Sequence, residues 1–243
     1  MNNRVSNGSN PNCAKSAIIS KFISEYDNVI KNPYIIGVCG ASGSGKTFIA
    51  DLIVETMGKL FADDASIADM IIISQDSYYK GGTKDTNYDI PSAIDFELFV
   101  AHLETLIKGE NIESPIYDFK THLRKGETKT ICPAKIIIVE GILIFTQESL
   151  RKLFDMKIFV HADEPTQIFR RTIRDTEERG RTLSEVRERY ERDVWPSYKE
   201  FVLPSSRYAD MTINNHNDCY IGLEIMLNHI VTVLKKIINQ PSK

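Results

Sequence analysis

Eight consecutive residues set the architecture of this chain: Gly40-Ala41-Ser42-Gly43-Ser44-Gly45-Lys46-Thr47. They match the pattern G-x-x-x-x-G-K-[ST], which binds phosphate where it joins a buried strand to a helix. An apolar run from 34 to 39 precedes them, and apolar residues at helical spacing follow from 46 to 60. The glycines let the backbone turn tightly, so that its N–H groups and the helix N-terminus face phosphate oxygens. The alternative, a glycine- and serine-rich turn with a chance lysine, is disfavoured by the flanking strand and helix.

This segment predicts a site for a nucleoside triphosphate but leaves the reaction open, because ATPases, GTPases and small-molecule kinases share the pattern. We expect all eight residues and the adjacent Phe48 to contact ATP. Lys46 can reach the outer phosphates, and the Thr47 hydroxyl can ligate Mg²⁺. No strand is followed by D-x-x-G, and the guanine-specifying N-K-x-D is missing, which disfavours a GTPase.

Further apolar runs alternate with helical patterns along the chain. Runs too short for helices predict buried strands at 34–39, 70–74, 136–139 and 156–160, with a weak last strand at 211–213. Helical spacing predicts helices at 91–108, 165–176, 183–195 and 219–238, with Pro196 kinking or ending the third. Alternating strands and helices predict an α/β fold, a doubly wound parallel sheet of the P-loop NTPase and kinase type.

Two segments depart from this alternation. Residues 112–119 and 127–132 flank a polar stretch and predict a β-hairpin over about 111–132 that projects over the site. Residues 1–14 are rich in Asn, Ser and Gly and predict a disordered tail. The remainder, 15–243, is long enough to bury one core, so we expect a single domain.

Composition narrows the class of protein. Of the 243 residues, 42% are hydrophobic and 26% charged, and the formal net charge of −3 gives no bulk attraction to nucleic acids or anionic membranes. The cysteines have neither zinc-site nor disulfide-framework spacing, which indicates reduced thiols. The polar N-terminus is not a secretory signal, and no apolar run approaches the ~20 residues of a membrane span. We therefore expect a cytoplasmic protein without nucleic-acid or membrane partners.

Two carboxylates follow predicted strands, where parallel sheets place their ligands. Asp76 comes after the strand at 70–74, and Glu140 ends the strand at 136–139. Asp76 could accept a proton from an attacking hydroxyl and help to hold the metal, and Glu140 could orient Mg²⁺ or its waters. The alternative for each is a solvated acid in a loop.

Arginines cluster after the fourth predicted strand, at positions 170, 171, 174, 179 and 181. Gly180 breaks the helix there, so the segment 174–185 predicts a hinged lid that closes over the phosphates and excludes water. We expect Arg174 and Arg179 to take part in catalysis. The alternative is a helix surface on which the arginines pair with Asp175, Glu177 and Glu178.

Together these motifs resemble the uridine-cytidine kinases over residues 34–237. The order of the segments is the family's order, and two of them are more specific than the phosphate-binding loop. These segments are 40–47, Ser74-Gln75-Asp76-Ser77-Tyr78-Tyr79, Pro115-Ile116-Tyr117-Asp118-Phe119 with His122, Glu140-Gly141-Ile142-Leu143 and Glu178-Arg179-Gly180-Arg181. The resemblance implies phosphorylation of the 5′-hydroxyl of uridine or cytidine by ATP with Mg²⁺, and a homotetramer.

The resemblance also implies a role for individual residues. Asp76 matches the base that takes the proton of the 5′-hydroxyl. Asp89 and Arg171 match residues that bind the ribose, and Tyr117 and His122 match groups that read the pyrimidine edge. The aromatic walls match Tyr79, Tyr88 and Phe119; the lid arginines match Arg174, Arg179 and Arg181, of which Arg181 also lies near the substrate. Asp218 is similar in position to a residue beside the ATP base.

Two positions depart from the family pattern. Arg189 stands where the family has glutamine near the nucleoside, so its charge either alters the base preference or approaches a phosphate. The segment 212–218 lacks the family's proline and glycine, which weakens the assignment of Asp218. Two alternative functions stay open: a related kinase acting on pantothenate or ribulose 5-phosphate, and a non-catalytic nucleotide-binding protein.

Overall fold

The protein is described by a computed structural model that covers Ser20 and residues 33–62, 69–215 and 220–238. The predicted tail at 1–14 lies outside the described residues, so it stays a prediction, as does the extent of the single domain. The strands, in chain order, are β1 (Tyr34–Gly40), β2 (Met70–Ser74), β3 (Ile112–Asp118), β4 (Leu123–Ile131), β5 (Ile136–Gly141), β6 (Met156–His161) and β7 (Met211–Asn214).

The central sheet has five parallel strands in the order β2-β5-β1-β6-β7. Every residue of β1 and of β5 is buried, because helices cover both faces of the sheet. The α/β class and the parallel sheet are confirmed. β3 and β4 form a separate antiparallel hairpin, as expected, with a register shift between Pro115 and Tyr117.

The helices are α1 (Lys46–Leu60), α2 (Phe96–Ile107), α3 (Glu148–Arg151), α4 (Glu164–Glu177), α5 (Leu183–Arg189) and α6 (Tyr220–Ile238). α1 and α6 bury Ile53 and Ile230 on one face of the sheet, in a core with Val38 of β1. α2 buries Phe99 on the other face, in a second core with Val139 of β5. Alternate residues of each strand thus supply the two cores, as the pleat requires.

Local signals fix the start and end of the arginine-bearing helix. Asp163 caps α4 by accepting a hydrogen bond from the backbone N–H of Thr166, and proline stands in the first turn. After α4, Gly180 adopts a φ of 67°, which breaks the helix. Thr182 and Glu185 then form a reciprocal capping box that starts α5. The arginines therefore lie on the end of one helix and on the turn that follows it.

Of the two outcomes predicted at Pro196, a kinked helix or the end of the helix, the second is wrong, and the kink stays a prediction. Helical backbone continues from Leu183 to Ser205 through two π turns, Tyr190–Val194 and Tyr198–Val202. A proline stands at the second position after each π turn, Pro196 after the first and Pro204 after the second. The backbone N–H of Trp195 bonds to the carbonyl of Tyr190, five residues back, so the wider turn absorbs the ring and the missing donor.

Within the described residues, no helix combines the length and the apolar character that a membrane crossing needs.

Candidate active site

The carboxyl ends of β1, β2 and β5 meet at one edge of the sheet, where the phosphate-binding loop joins β1 to α1. Gly43 and Gly45 have φ values of 83° and 95°, and a Cβ on either would strike a neighbouring residue. The Lys46 Nζ donates to the carbonyl of Ala41 at 3.0 Å, so the lysine lies folded over the loop. Burial lowers the pKa of Lys46, against the opposing effect of Glu140.

Glu140, at the end of β5, links the loop to the neighbouring strand β2. Its two carboxylate oxygens accept hydrogen bonds from Thr47 Oγ1 at 3.3 Å and from Ser74 Oγ at 2.5 Å. Ser74 Oγ in turn accepts the backbone N–H of Asp76 at 3.2 Å. Burial raises the pKa of Glu140, although Lys46 pulls it down. The two acids predicted at strand ends are therefore neighbours in one network.

Gln75 connects the end of β2 to the residues that follow β5. Its side-chain carbonyl accepts the backbone N–H of Leu143 at 2.7 Å, and it packs so closely on Gly141 that a Cβ there would clash. Gln75 is fully buried. It therefore fixes the spacing between Asp76, which follows β2, and Glu140, which ends β5.

Aromatic rings line the opposite half of the pocket. Tyr79 contacts Tyr117, with ring centroids 5.1 Å apart, and Tyr117 contacts Phe119 at 5.2 Å. Tyr88 and His122 stack with centroids 5.3 Å apart. His122 has a φ of 60°, a backbone conformation that side-chain-bearing residues seldom adopt and that often occurs at functional sites. Burial, and then Arg189 and Arg181, lower the pKa of His122, so its imidazole is neutral at pH 7.

Asp89 reaches the same pocket from a loop. Its backbone N–H donates to the side chain of Asn87 at 2.9 Å, and Asn87 in turn donates to Ser197 at 3.1 Å. The Asp89 carboxylate lies 3.5 Å from the Arg171 guanidinium. Both side chains are largely buried, so the loop presents a fixed carboxylate instead of a solvated one.

The arginines converge on a single carboxylate, Asp175. It pairs with Arg171 at 3.5 Å, Arg174 at 3.2 Å, Arg179 at 3.1 Å and Arg181 at 2.7 Å. The same guanidiniums also line the pocket. These four arginines therefore line the pocket and also pair with Asp175, whereas Glu177 and Glu178 are exposed. The closing of the segment 174–185 as a lid stays a prediction.

The arrangement joins a triphosphate-binding loop, two neighbouring acids, an arginine cluster and an aromatic half in one pocket. The family model for phosphoribulokinase and uridine kinase matches residues 35–221. The chain belongs to this family. Its members in the comparison include uridine-cytidine kinase 2-B of Danio rerio, 37% identical over 219 residues that cover 86% of this chain and 84% of the relative. The uridine kinase of Clostridium novyi is 42% identical over 211 residues, which cover 84% of this chain and 98% of the relative.

The fold of this chain is also similar to that of a solved kinase structure. D-glycerate 3-kinase from Cryptococcus neoformans superposes with a TM-score of 0.53 over 80% of this chain and 89% of that chain. The sequence identity is 17%, so this likeness concerns the fold alone. Together with the parallel sheet and the loop after β1, it places the chain among the P-loop kinase folds.

The pocket of this protein is lined by most of the residues that were predicted from the sequence to form the site. Its lining includes Ser42, Lys46, Thr47, Asp76, Tyr79, Tyr88, Asp89, Tyr117, Phe119, His122, Glu140, Arg171, Arg174, Arg179, Arg181 and Arg189. Phe48 does not line it and is 57% exposed on α1. Asp218 lies outside the described residues. Arg189 donates to the carbonyl of Lys84, which ties α5 to the loop that carries Tyr88.

Sequence reasoning missed three residues that support the site. Asp175 appeared only as a surface ion-pair partner, and Gln75 only as part of a motif. Arg124 was not singled out, yet it bonds the carbonyls of Tyr78 and Tyr79 and pairs with Asp95 at 3.2 Å. Gln75 and Arg124 act through residues distant in sequence, so no local pattern could reveal them. The partners of Asp175 are near in sequence, but the same charge pattern also occurs on solvated helix surfaces.

Proposed function

We propose that this protein transfers the γ-phosphoryl group of ATP to the 5′-hydroxyl of uridine, of cytidine or of both. The observation that carries the proposal is that Asp76 lines one pocket together with the phosphate-binding loop and with an aromatic half that contains Asp89. A phosphoryl donor and a hydroxyl acceptor must meet in one place for direct transfer. The relatives named uridine kinase and uridine-cytidine kinase support the same acceptor.

In this proposal the aromatic half binds the nucleoside. Asp89 accepts hydrogen bonds from the ribose 2′- and 3′-hydroxyls, and Arg171 holds that carboxylate in place. Tyr79, Tyr88 and Phe119 provide walls for the base. Tyr117 and the neutral His122 each combine donor and acceptor capacity, which suits both a 4-oxo and a 4-amino pyrimidine.

Asp76 is the proposed general base. Its backbone is fixed by Ser74, and its side chain faces the same pocket as Lys46. Asp76 accepts the proton of the 5′-hydroxyl as the oxygen attacks the γ-phosphorus and the bond to the β-phosphate oxygen breaks. Lys46, Arg174 and Arg179 stabilise the charge that the transferring group carries.

The oxygen atoms beside the loop fit Mg²⁺, and we assign Thr47, Glu140 and Asp76 as the residues that would hold it. Mg²⁺ favours one or two carboxylates with water and phosphate oxygens, so a cage made only of protein ligands is not required. Accordingly, no group of three or more metal-binding His, Cys, Asp or Glu side chains occurs within 33–62, 69–215 and 220–238. When bound, the ion supplies positive charge to the phosphate oxygens.

The test is ADP release with Mg²⁺·ATP and a panel of acceptors. The panel contains uridine, cytidine, deoxycytidine, adenosine, pantothenate, ribulose 5-phosphate and no acceptor. We expect turnover with uridine or cytidine and much less with deoxycytidine, because removing a ribose hydroxyl leaves the buried Asp89 without its partner. Turnover restricted to pantothenate or ribulose 5-phosphate would refute the acceptor, and ADP release that no acceptor stimulates would refute the transfer.

We also propose a cytoplasmic homotetramer, on the strength of the family resemblance. The mildly acidic composition gives no bulk attraction to nucleic acids or anionic membranes. Light scattering of the purified protein tests the assembly: a mass of four chains agrees with the proposal, and a monomer contradicts it.

A further inference from the structure

Asp175 is a buried carboxylate that pairs with four arginines of the pocket. Its Oδ1 accepts hydrogen bonds from Arg174 and Arg179, and its Oδ2 accepts one from Arg181 and pairs with Arg171. Its backbone carbonyl also accepts the N–H of Arg181 at 3.0 Å. With only 1% of its surface exposed, Asp175 binds both the helix end and the turn after it.

The arginines held by Asp175 extend to different parts of the pocket. Arg174 also donates to Ser42 of the phosphate-binding loop at 3.2 Å, and Arg171 reaches Asp89 on the acceptor side. Arg179 lies over the ring of Phe119, 4.0 Å from its centroid. One buried carboxylate therefore ties together the donor half and the acceptor half of the site.

The charges explain why such a carboxylate is needed. Guanidiniums crowded together repel one another, and this repulsion together with burial lowers the pKa of Arg179. Burial alone would raise the pKa of Asp175, but the surrounding arginines outweigh it and hold that pKa below its ordinary value. Asp175 is consequently ionised at pH 7 and offsets part of the repulsion.

Asp175 occupies only part of the donor capacity of each guanidinium. A guanidinium has five N–H donors in a fixed fork, and Asp175 engages one or two on each arginine. The pairing with Asp175 fixes the direction of the whole planar group, including the donors that Asp175 does not engage, and such preorganised donors stabilise charge without rearrangement during the reaction.

We propose that Asp175 is a positioning residue for phosphoryl transfer, which holds Arg171, Arg174, Arg179 and Arg181 in the arrangement that stabilises the transferring group. This inference rests on the proposed function. It adds a role for Asp175, the carboxylate that positions the arginines. Asp175 itself contacts no reacting atom in this account. Its effect passes through the arginines.

The experiment compares Asp175→Asn with the wild type and with a matched control, Asp210→Asn. Asp210 also pairs with a cation, Lys157 at 2.9 Å, but it lies before β7, at the opposite edge of the sheet. We expect Asp175→Asn to lower kcat about 30-fold or more and to raise KM for uridine by a smaller factor, since Arg174 and Arg179 act on the transition state whereas Arg171 holds Asp89 beside the acceptor. The control keeps wild-type kinetics. An Asp175→Asn enzyme with kcat within about twofold of the wild type would overturn the inference.

A double-mutant cycle with Arg179→Ala separates positioning from a general structural role. If Asp175 acts through the arginines, the double variant loses less activity than the product of the two single losses. Multiplied losses would contradict the inference. Should Asp175→Asn fail to fold, Asp175→Glu keeps the charge but displaces it, and we then expect a near-normal melting temperature with a reduced kcat; an unchanged kcat would count against positioning.

A readout without turnover keeps this inference distinct from the proposed function. The turn 178–182 is ordered by Asp175, so its amides should exchange with solvent faster in Asp175→Asn than in the wild type. A wild-type protein that phosphorylates none of the acceptors would refute the proposed function, and the exchange rates would still report on Asp175. Unchanged exchange in an active enzyme would refute the positioning role alone.

Discussion

Asp76 is the residue on which the proposed chemistry depends most. Replacing it with asparagine removes the proton acceptor and leaves a side chain of the same size, so we expect ATP and uridine to bind as before. General bases contribute about 10²- to 10⁴-fold, and kcat should fall within that range. Steady-state kinetics and calorimetric binding of both substrates measure the two effects separately.

The matched control for Asp76 is Asp51→Asn, which alters an exposed carboxylate on α1. It should leave kcat and KM unchanged. Near-normal turnover by Asp76→Asn would remove Asp76 from the mechanism, whereas weaker binding of ATP alone would leave it only a metal-holding role.

We expect ionised Glu140 to lower the free energy of unfolding, although the proposed Mg²⁺ site requires its carboxylate. Its folded pKa is raised by burial, so between the unfolded and folded pKa values the folded protein retains a proton that the unfolded chain has lost. The unfolding free energy therefore falls as pH rises through this window and stays lower above it. Glu140→Gln cannot ionise, so we expect it to melt at a higher temperature than the wild type at about pH 8 but not at about pH 4.

The same Glu140→Gln variant should lose activity, because an amide is a poorer partner for Mg²⁺ than a carboxylate. Melting curves at the two pH values and kcat at varied Mg²⁺ concentration check the two effects. Equal melting temperatures at about pH 8 would contradict the raised pKa. Full activity would contradict the metal role.

Sequence reasoning at the level of single residues succeeded where chemistry and local context coincide. Asp76 and Glu140 each follow an apolar strand, and parallel strands bring such positions together. Asp175 was misread because a charge run on a helix looks the same whether it is solvated or buried. Only the turn at Gly180, which folds Arg179 and Arg181 back onto α4, distinguishes the two cases.

Among the elements, the hairpin of β3 and β4 is joined to its neighbours by core packing and by one polar side chain, Arg124. Arg124 of β4 bonds the carbonyls of Tyr78 and Tyr79 and pairs with Asp95, the N-cap of α2. Hydrogen bonds to charged groups contribute about 1.5–3 kcal/mol each. In Arg124→Gln we expect a loosened hairpin and a KM for uridine raised about tenfold or more, with a smaller change in kcat, since about 1.4 kcal/mol corresponds to tenfold in affinity.

Lys125→Gln is the control for this prediction, because Lys125 is exposed on the same strand and its loss should leave KM unchanged. Equal KM values for uridine in Arg124→Gln and the wild type would show that the hairpin is held in place without Arg124. If Arg124→Gln raised KM for ATP and not KM for uridine, Arg124 would support the ATP-binding half of the pocket instead of the hairpin.

The elements themselves were largely predictable, since strand and helix periods differ and short buried runs suit only strands. The exception is the helical run through Pro196. A proline normally ends a helix, but a π turn before it removes the conflict, and the preceding residues carry no local signal for that turn.

At the scale of the whole molecule, the chain is a parallel sheet with the phosphate-binding loop at one edge and an aromatic hairpin facing it. The sequence predicted both halves. It could not predict their linkage, which depends on Asp175, Gln75 and Arg124 and on contacts between residues far apart in the chain. The central claim is that these halves bring a γ-phosphoryl group to a nucleoside 5′-oxygen.

The most direct measurement is phosphorus NMR of the product formed from uridine and Mg²⁺·ATP. We expect one nucleoside monophosphate for each ADP, with its phosphorus coupled to the protons on the ribose C5′. A phosphate on the 2′- or 3′-oxygen, or ADP accompanied only by inorganic phosphate, would contradict it.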